Sequence, residues 1–98
     1  MTVTLQLPGA LAPFAGGQRE VTLAAGGGAT VTMTVTGVLD RLAGQLPALE
    51  RRIRDERAAI RRHVNVYVNG VDIRTLSGAD SPVPDGAVID IIAAVSGG

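Results

Sequence analysis

His63-Val64-Asn65-Val66-Tyr67-Val68-Asn69-Gly70-Val71-Asp72-Ile73-Arg74 is the stretch whose reading decides the fold. Val64, Val66 and Val68 alternate with Asn65 and Tyr67, the period of two expected of a strand with one buried face. Asn69-Gly70 follows at once, and this pair tolerates the positive φ that a tight hairpin turn demands at its two central positions. The chain then returns as a short strand over residues 71–74. The hairpin is thereby set, and the rest of the chain must cover its β-branched face.

Downstream, residues 76–84 wander through Gly78 and two prolines until Pro84-Asp85-Gly86 turns the chain into a last strand over residues 88–95. Ile89 and Ile91 should share the inward face with Val64, Val66 and Val68, because these are the β-branched side chains a helix would cover. Tyr67, Ile92 and Ala94 then fall on the free face, with Val95 near the point where the chain leaves the sheet. Apolar side chains where polar ones are expected suggest a partner interface. The alternative is a small crossover sheet lying over Ile92. Beyond Val95 stand only Ser96, Gly97 and Gly98, a slim arm without Cβ atoms at its tip, suited to a narrow channel. The free carboxylate of Gly98 is the chemical group such an arm would present.

Upstream, residues 2–7 alternate Val3, Leu5 and Leu7 against Thr2, Thr4 and Gln6, and residues 18–24 alternate again with Arg19, Val21 and Leu23 on one side. They read as an antiparallel hairpin joined by a broad loop, in which Phe14 is expected to plug the core edge. Gly26-Gly27-Gly28 lacks the spacing of a phosphate-cradling loop and reads as a flexible linker. Residues 29–36 read as extended chain leading into a helix over residues 35–45, with Thr34 or Thr36 as its cap and Asp40 near its positive end. Val35, Val38, Leu39, Leu42 and Leu46 form its apolar stripe, and Pro47 stops it because proline restricts the residue before it. Leu49 and Ile53 extend the stripe through a second short helical piece. Arg51, Arg52, Arg54, Arg57, Arg61 and Arg62 are interleaved with Glu50, Asp55 and Glu56, and the segment itself holds no aromatic residue to stack a base. This cluster reads as a solvated helical face, with docking to an acidic partner as the lesser reading. His63, lacking a second histidine or a cysteine, is a poor metal ligand and reads as a surface residue. The order β-β-α-β-β-β is that of an α+β domain with one sheet face on a helix.

Composition narrows the function. Ninety-eight residues with 46% apolar content suit one domain spanning 1–98, ending in a flexible Gly-Gly tail. Nine basic and nine acidic residues cancel, so no overall field favours nucleic acid or an anionic membrane. No apolar run is long enough to span a bilayer, and no leader pattern opens the chain, so a cytoplasmic protein is expected. Cysteine is absent, which removes thiolate nucleophiles, thiolate metal sites and disulfides; lysine is absent too, so no side-chain amine can accept an acyl group. Ser77, His63 and Asp72 exist without any recognisable nucleophile motif. The chain is expected not to be an enzyme, and to bind no cofactor or metal.

Thr34-Val35-Thr36-Gly37-Val38-Leu39-Asp40-Arg41-Leu42, the His63 to Arg74 stretch, Pro84-Asp85-Gly86 and the closing Ala94-Val95-Ser96-Gly97-Gly98 together resemble the MoaD/ThiS family of ubiquitin-like sulfur carriers. The specific part is the combination of Val-Asn-x-x-Val-Asn-Gly, an Asp-Gly turn about a dozen residues before the end, and a final Gly-Gly. Leu11-Ala12-Pro13-Phe14-Ala15-Gly16-Gly17-Gln18 also resembles the opening of the family's CysO-type members, which serve thiocarboxylate-dependent cysteine synthesis. The resemblance implies a β-grasp fold with a mixed sheet of about five strands on one main helix. It implies that an E1-like adenylating enzyme of the MoeB/ThiF type spends ATP to adenylate Gly98, and that a sulfur donor then converts it to a thiocarboxylate. Gly97 and Gly98 would be the sulfur-carrying terminus, and Tyr67, Ile92, Ala94, Val95 and Ser96 the docking residues. The accepting enzyme would be the large subunit of molybdopterin synthase, a thiazole synthase or a cysteine synthase. Two other readings stand beside it: a ubiquitin-like modifier joined through Gly98 to target lysines, and a β-grasp interaction module with an inert tail.

Overall fold

The computed structural model describes residues 2–24 and 33–93. A five-stranded mixed sheet in the order β2-β1-β7-β4-β5 is built from β1 (Thr2–Gln6), β2 (Glu20–Ala24), β4 (Val64–Val68), β5 (Val71–Asp72) and β7 (Val88–Ala93). Helices α1 (Val35–Gln45) and α2 (Pro47–Ile53) cover one face, and a two-residue pair, β3 (Met33–Thr34) with β6 (Pro82–Val83), forms a separate small sheet.

Strand β7 lies in the middle, parallel to β1 and antiparallel to β4. Its inward side chains Ile89 and Ile91 are 1% and 2% exposed beneath the helical layer. Val3, Leu5, Val21, Leu23, Val64, Val66 and Val68 bury from the neighbouring strands, against Val35, Val38, Leu39, Leu42, Leu49 and Ile53 of the helices. Each such side chain removed from water contributes about 1.5–3 kcal/mol before chain entropy is counted.

Local chemistry sets the corners. Asn69 and Gly70 adopt φ of 50° and 84°, as the hairpin reading requires. Asn69 does more than turn the chain: its amide donates to the Val88 carbonyl at 2.8 Å, and its side-chain oxygen accepts from the Val88 amide at 2.9 Å. Gly86, at φ 78°, closes the Pro84-Asp85-Gly86 turn and donates to the Thr2 carbonyl, while Asp85 accepts from the Thr2 amide at 2.9 Å. The start of β1 and the start of β7 are thus pinned together. Thr34 caps α1, accepting from the Gly37 amide at 3.1 Å. Leu46 sits at φ −134°, ψ 71°, because Pro47 excludes the helical conformation before it; Pro47 then opens α2, where a missing N–H costs nothing.

Several expectations are corrected. The broad loop after β1 contains a 3-10 helix, Gly9–Ala15, which ends where Gly16 takes φ 66°. Phe14 on this turn is half-buried against the core, at its edge. The short return strand stops at Asp72, because Asp72 caps a 3-10 turn over Ile73–Thr75 by accepting from the Arg74 amide at 2.9 Å. Residues 76–84 are ordered by Ser81, fully buried, whose hydroxyl accepts from the Ser77 amide and whose carbonyl accepts from the Val35 amide. The arginine cluster is not a uniform solvated helical face, since α2 ends at Ile53 and Arg54 is buried. Arg54 Nε donates to Glu50 Oε2 at 2.8 Å, and its Nη1 lies 2.9 Å from Asp40 Oδ1. Burial disfavours its charge, but the bonds to Glu50 and Asp40 outweigh that and hold its pKa above the ordinary value. Asp40 therefore serves as a tie between α1 and α2. The Gly26 to Gly28 linker lies outside the described residues.

Candidate functional site

Alternation within β4 and β7 places Asn65, Tyr67, Val88, Asp90 and Ile92 on the face of the sheet away from the helices. Asn65 lies opposite Ile92, and Tyr67 opposite Asp90. Tyr67 and Ile92 are therefore diagonal neighbours on adjacent central strands, close enough for large side chains to share a patch. Ile92 is 48% exposed and Tyr67 half-buried, so the small β3–β6 sheet does not cover Ile92. The rest of this face differs in character. Thr2, Thr4 and Gln6 of β1, and Glu20 and Thr22 of β2, continue it toward the other edge. On this face the large apolar side chains are confined to the β4–β7 half, where the chain runs toward its terminus.

Strand β7 is described as far as Ala93, which pairs with Val64. Ala94, Val95, Ser96, Gly97 and Gly98, the remaining predicted site residues, lie outside the described residues. The structure thus brings together Tyr67 and Ile92 on adjacent central strands. Register supplies what alternation alone lacked, since Asn65 and Asp90 complete the polar corners of the patch.

Of the side chains weighed for catalysis, Asp72 is committed: its carboxylate takes Arg74 Nη2 at 2.8 Å and the Arg74 amide at 2.9 Å. The guanidinium and then the amide of Arg74 hold this carboxyl below its ordinary value of 3.8. His63 and Ser77 are exposed, and no hydrogen bond joins them to Asp72 among the described residues. No group of three or more metal-binding side chains occurs among the described residues. No described helix is long and apolar enough to cross a membrane.

One feature escaped the sequence reading. Because β5 pairs only with Tyr67 and Val68, the other end of β4 has an open edge, bordering a cleft of about 490 Å³ floored by Ile60, Val64, Val66 and Ile73. The signal was there in principle: Asp72 is a capping residue, and a cap at that position ends β5 early.

This arrangement is the β-grasp of ubiquitin-like proteins, with an exposed patch beside the exit of the terminal strand. Comparison with known proteins is specific. The ThiS family model matches residues 5–98. The sulfur carrier protein CysO of Mycobacterium tuberculosis is 33% identical over 100 residues, covering all of both chains. A chain of the Amycolatopsis orientalis BexX/CysO complex superposes with a TM-score of 0.78 at 32% identity, covering 98% of this chain and 99% of that one. SAMP1 of Haloferax volcanii, a small archaeal modifier protein, superposes with a TM-score of 0.80 at 30% identity and full coverage of both. The chain belongs to the ThiS family. Within it the chain is CysO-like, a sulfur carrier rather than a catalyst.

Proposed function

We propose that the chain carries its sulfur as a thiocarboxylate on Gly98. A carboxylate is a poor acyl donor, so the terminus first attacks the α-phosphorus of ATP on a MoeB/ThiF-type enzyme, releasing pyrophosphate and forming an acyl adenylate. A sulfide-equivalent donor then attacks the acyl carbon and AMP leaves, so one oxygen of the carboxylate is replaced by sulfur. The carrier contributes the handle, and the enzymes contribute acid, base and metal chemistry. Tyr67 and Ile92, continued by Ala94, Val95 and Ser96, form the docking face that presents the tail. The observation that carries this reading is the end-to-end likeness to CysO, together with an apolar patch on the strand that leads to Gly98. The same likeness favours cysteine synthesis as the destination of the sulfur, over molybdopterin or thiazole formation. A cytoplasmic location follows from that chemistry.

The full-length likeness to SAMP1 supports a second reading, conjugation through Gly98 to lysines of other proteins. Intact mass distinguishes the two. Incubation with the adenylating enzyme, ATP and a sulfide source should add ~16 Da, the exchange of oxygen for sulfur, whereas tagging yields heavy lysine-linked adducts. Deleting Gly98, or Gly97→Val, should abolish ATP–pyrophosphate exchange and leave the melting temperature unchanged. Normal exchange by the truncated chain would sink the carrier reading.

A further inference from the structure

The arginines around the end of α2 are more ordered than a solvated face requires. Arg51, Arg52, Arg57, Arg61 and Arg62 are exposed, and none forms an ion pair with a described residue. Two are held in place by uncharged partners. The Arg52 guanidinium stacks 4.4 Å from the centre of the Phe14 ring, and Arg61 Nε donates to the Arg51 carbonyl at 2.9 Å. Phe14, Ala48, Arg51, Arg52 and Arg61 line a shallow concavity of about 340 Å³. The nearby Asp55 does not neutralise them by direct pairing, since its Oδ1 accepts from the amides of Arg57 and Ala59. The position is equally specific: Arg61, Arg62 and His63 lead directly into Val64, and Val64 pairs with Ala93. The arginine loop and Ala93, the last described residue of β7, share one end of the sheet.

We propose that this loop is an electrostatic collar for the tail, docking onto a carboxylate-rich protein surface at the mouth of the channel that admits it. The proposal rests on the carrier reading and adds a second contact to the Tyr67–Ile92 patch. Guanidinium groups suit such a surface because each can take a carboxylate through two parallel hydrogen bonds. Stacked and hydrogen-bonded arginines also lose less freedom on docking. The net charge of the chain is zero, so steering toward an acidic partner has to come from a local cluster of this kind. A nucleic acid is disfavoured because Phe14, the aromatic ring of this concavity, is already covered by Arg52.

The test is Arg61→Glu with Arg62→Glu in the full chain, with Arg19→Glu and Arg41→Glu, exposed elsewhere on the surface, as a charge-matched double control. ATP–pyrophosphate exchange is followed with the cognate MoeB/ThiF-type enzyme over a range of salt concentrations. The KM for the carrier should rise about tenfold in the double variant with kcat little changed, and the salt dependence of kcat/KM should flatten. Arg61→Lys with Arg62→Lys should retain most of the salt dependence, and the control should behave as wild type. A wild-type KM and salt slope in the double variant, with exchange running normally, would overturn the collar and leave the carrier reading standing. Absence of exchange with the unaltered chain would overturn both. Retention of the unaltered chain on polyuridylate or phosphatidylserine vesicles at physiological salt, lost in the double variant, would reassign the loop to nucleic acid or membrane.

Discussion

The two faces of strands β4 and β7 are made by the same ladder of five residue pairs and do opposite things. On the inner face Val64, Val66, Val68, Ile89 and Ile91 are each no more than 6% exposed and packed against helices. On the outer face Asn65, Tyr67, Asp90 and Ile92 meet no second layer among the described residues, and Ile92 remains half-exposed. Isoleucines adjacent in sequence, Ile91 and Ile92, therefore carry different duties. One holds the domain together, and the other is available to a partner. The difference teaches that hydrophobicity does not assign a role in this chain; the face on which a residue falls does.

That contrast can be broken most severely from inside. Ile91→Ala leaves a cavity under both helices and should cost about 3 kcal/mol of unfolding free energy, measured by urea denaturation. Arg54→Met should cost nearly as much, about 2–3 kcal/mol, because it strands the buried Glu50 carboxylate without its partner. Adding Glu50→Leu to that variant should recover most of the loss, and failure to recover would mean that the tie to Asp40 matters more. On the outer face the expected effect moves from stability to binding. Ile92→Asp or Tyr67→Ala should weaken affinity for the adenylating enzyme by ~1–3 kcal/mol in calorimetric titration while leaving the melting temperature nearly unchanged. A large drop in melting temperature instead would erase the distinction between the faces. The smallest effect concerns Asp72, whose folded pKa is depressed below 3.8 by Arg74. Its contribution to stability is present above the unfolded pKa and is lost as pH falls from that value through the folded one. Asp72→Asn should therefore flatten the acid limb of the stability profile below about pH 4, with little change at neutrality.

Much of this was legible because short-range rules govern it. Period-two alternation marked the four long strands, Asn69-Gly70 located the hairpin, and a threonine cap at Thr34 or Thr36 with Pro47 placed α1, the structure choosing Thr34. The shared face of Tyr67 and Ile92 followed from alternation once both strands were placed in one sheet. Arg54 escaped because a run of arginines looks alike in sequence. Only the end of α2 at Ile53, and the isolated bridge from Arg54 to Ile60, turn that one side chain inward. The two-residue strands β3 and β6 were equally hidden, since a pair of residues has no periodicity to read.

The amino-acid sequence by itself determined which residues alternate, where the chain turns, that neither thiol nor lysine amine is present, and which ThiS-family motifs it carries. Those are properties of neighbours along the chain, and local sterics and composition are enough to specify them. Tertiary structure decided that β7 lies at the centre, parallel to β1, and that the arginine loop stands at the same end of the sheet as Ala93. It also decided that Asp40 and Glu50 share one buried guanidinium. These arrangements depend on contacts between residues far apart in sequence. Burial of the shared core, Ile89 and Ile91 included, beneath the helices brings such residues together.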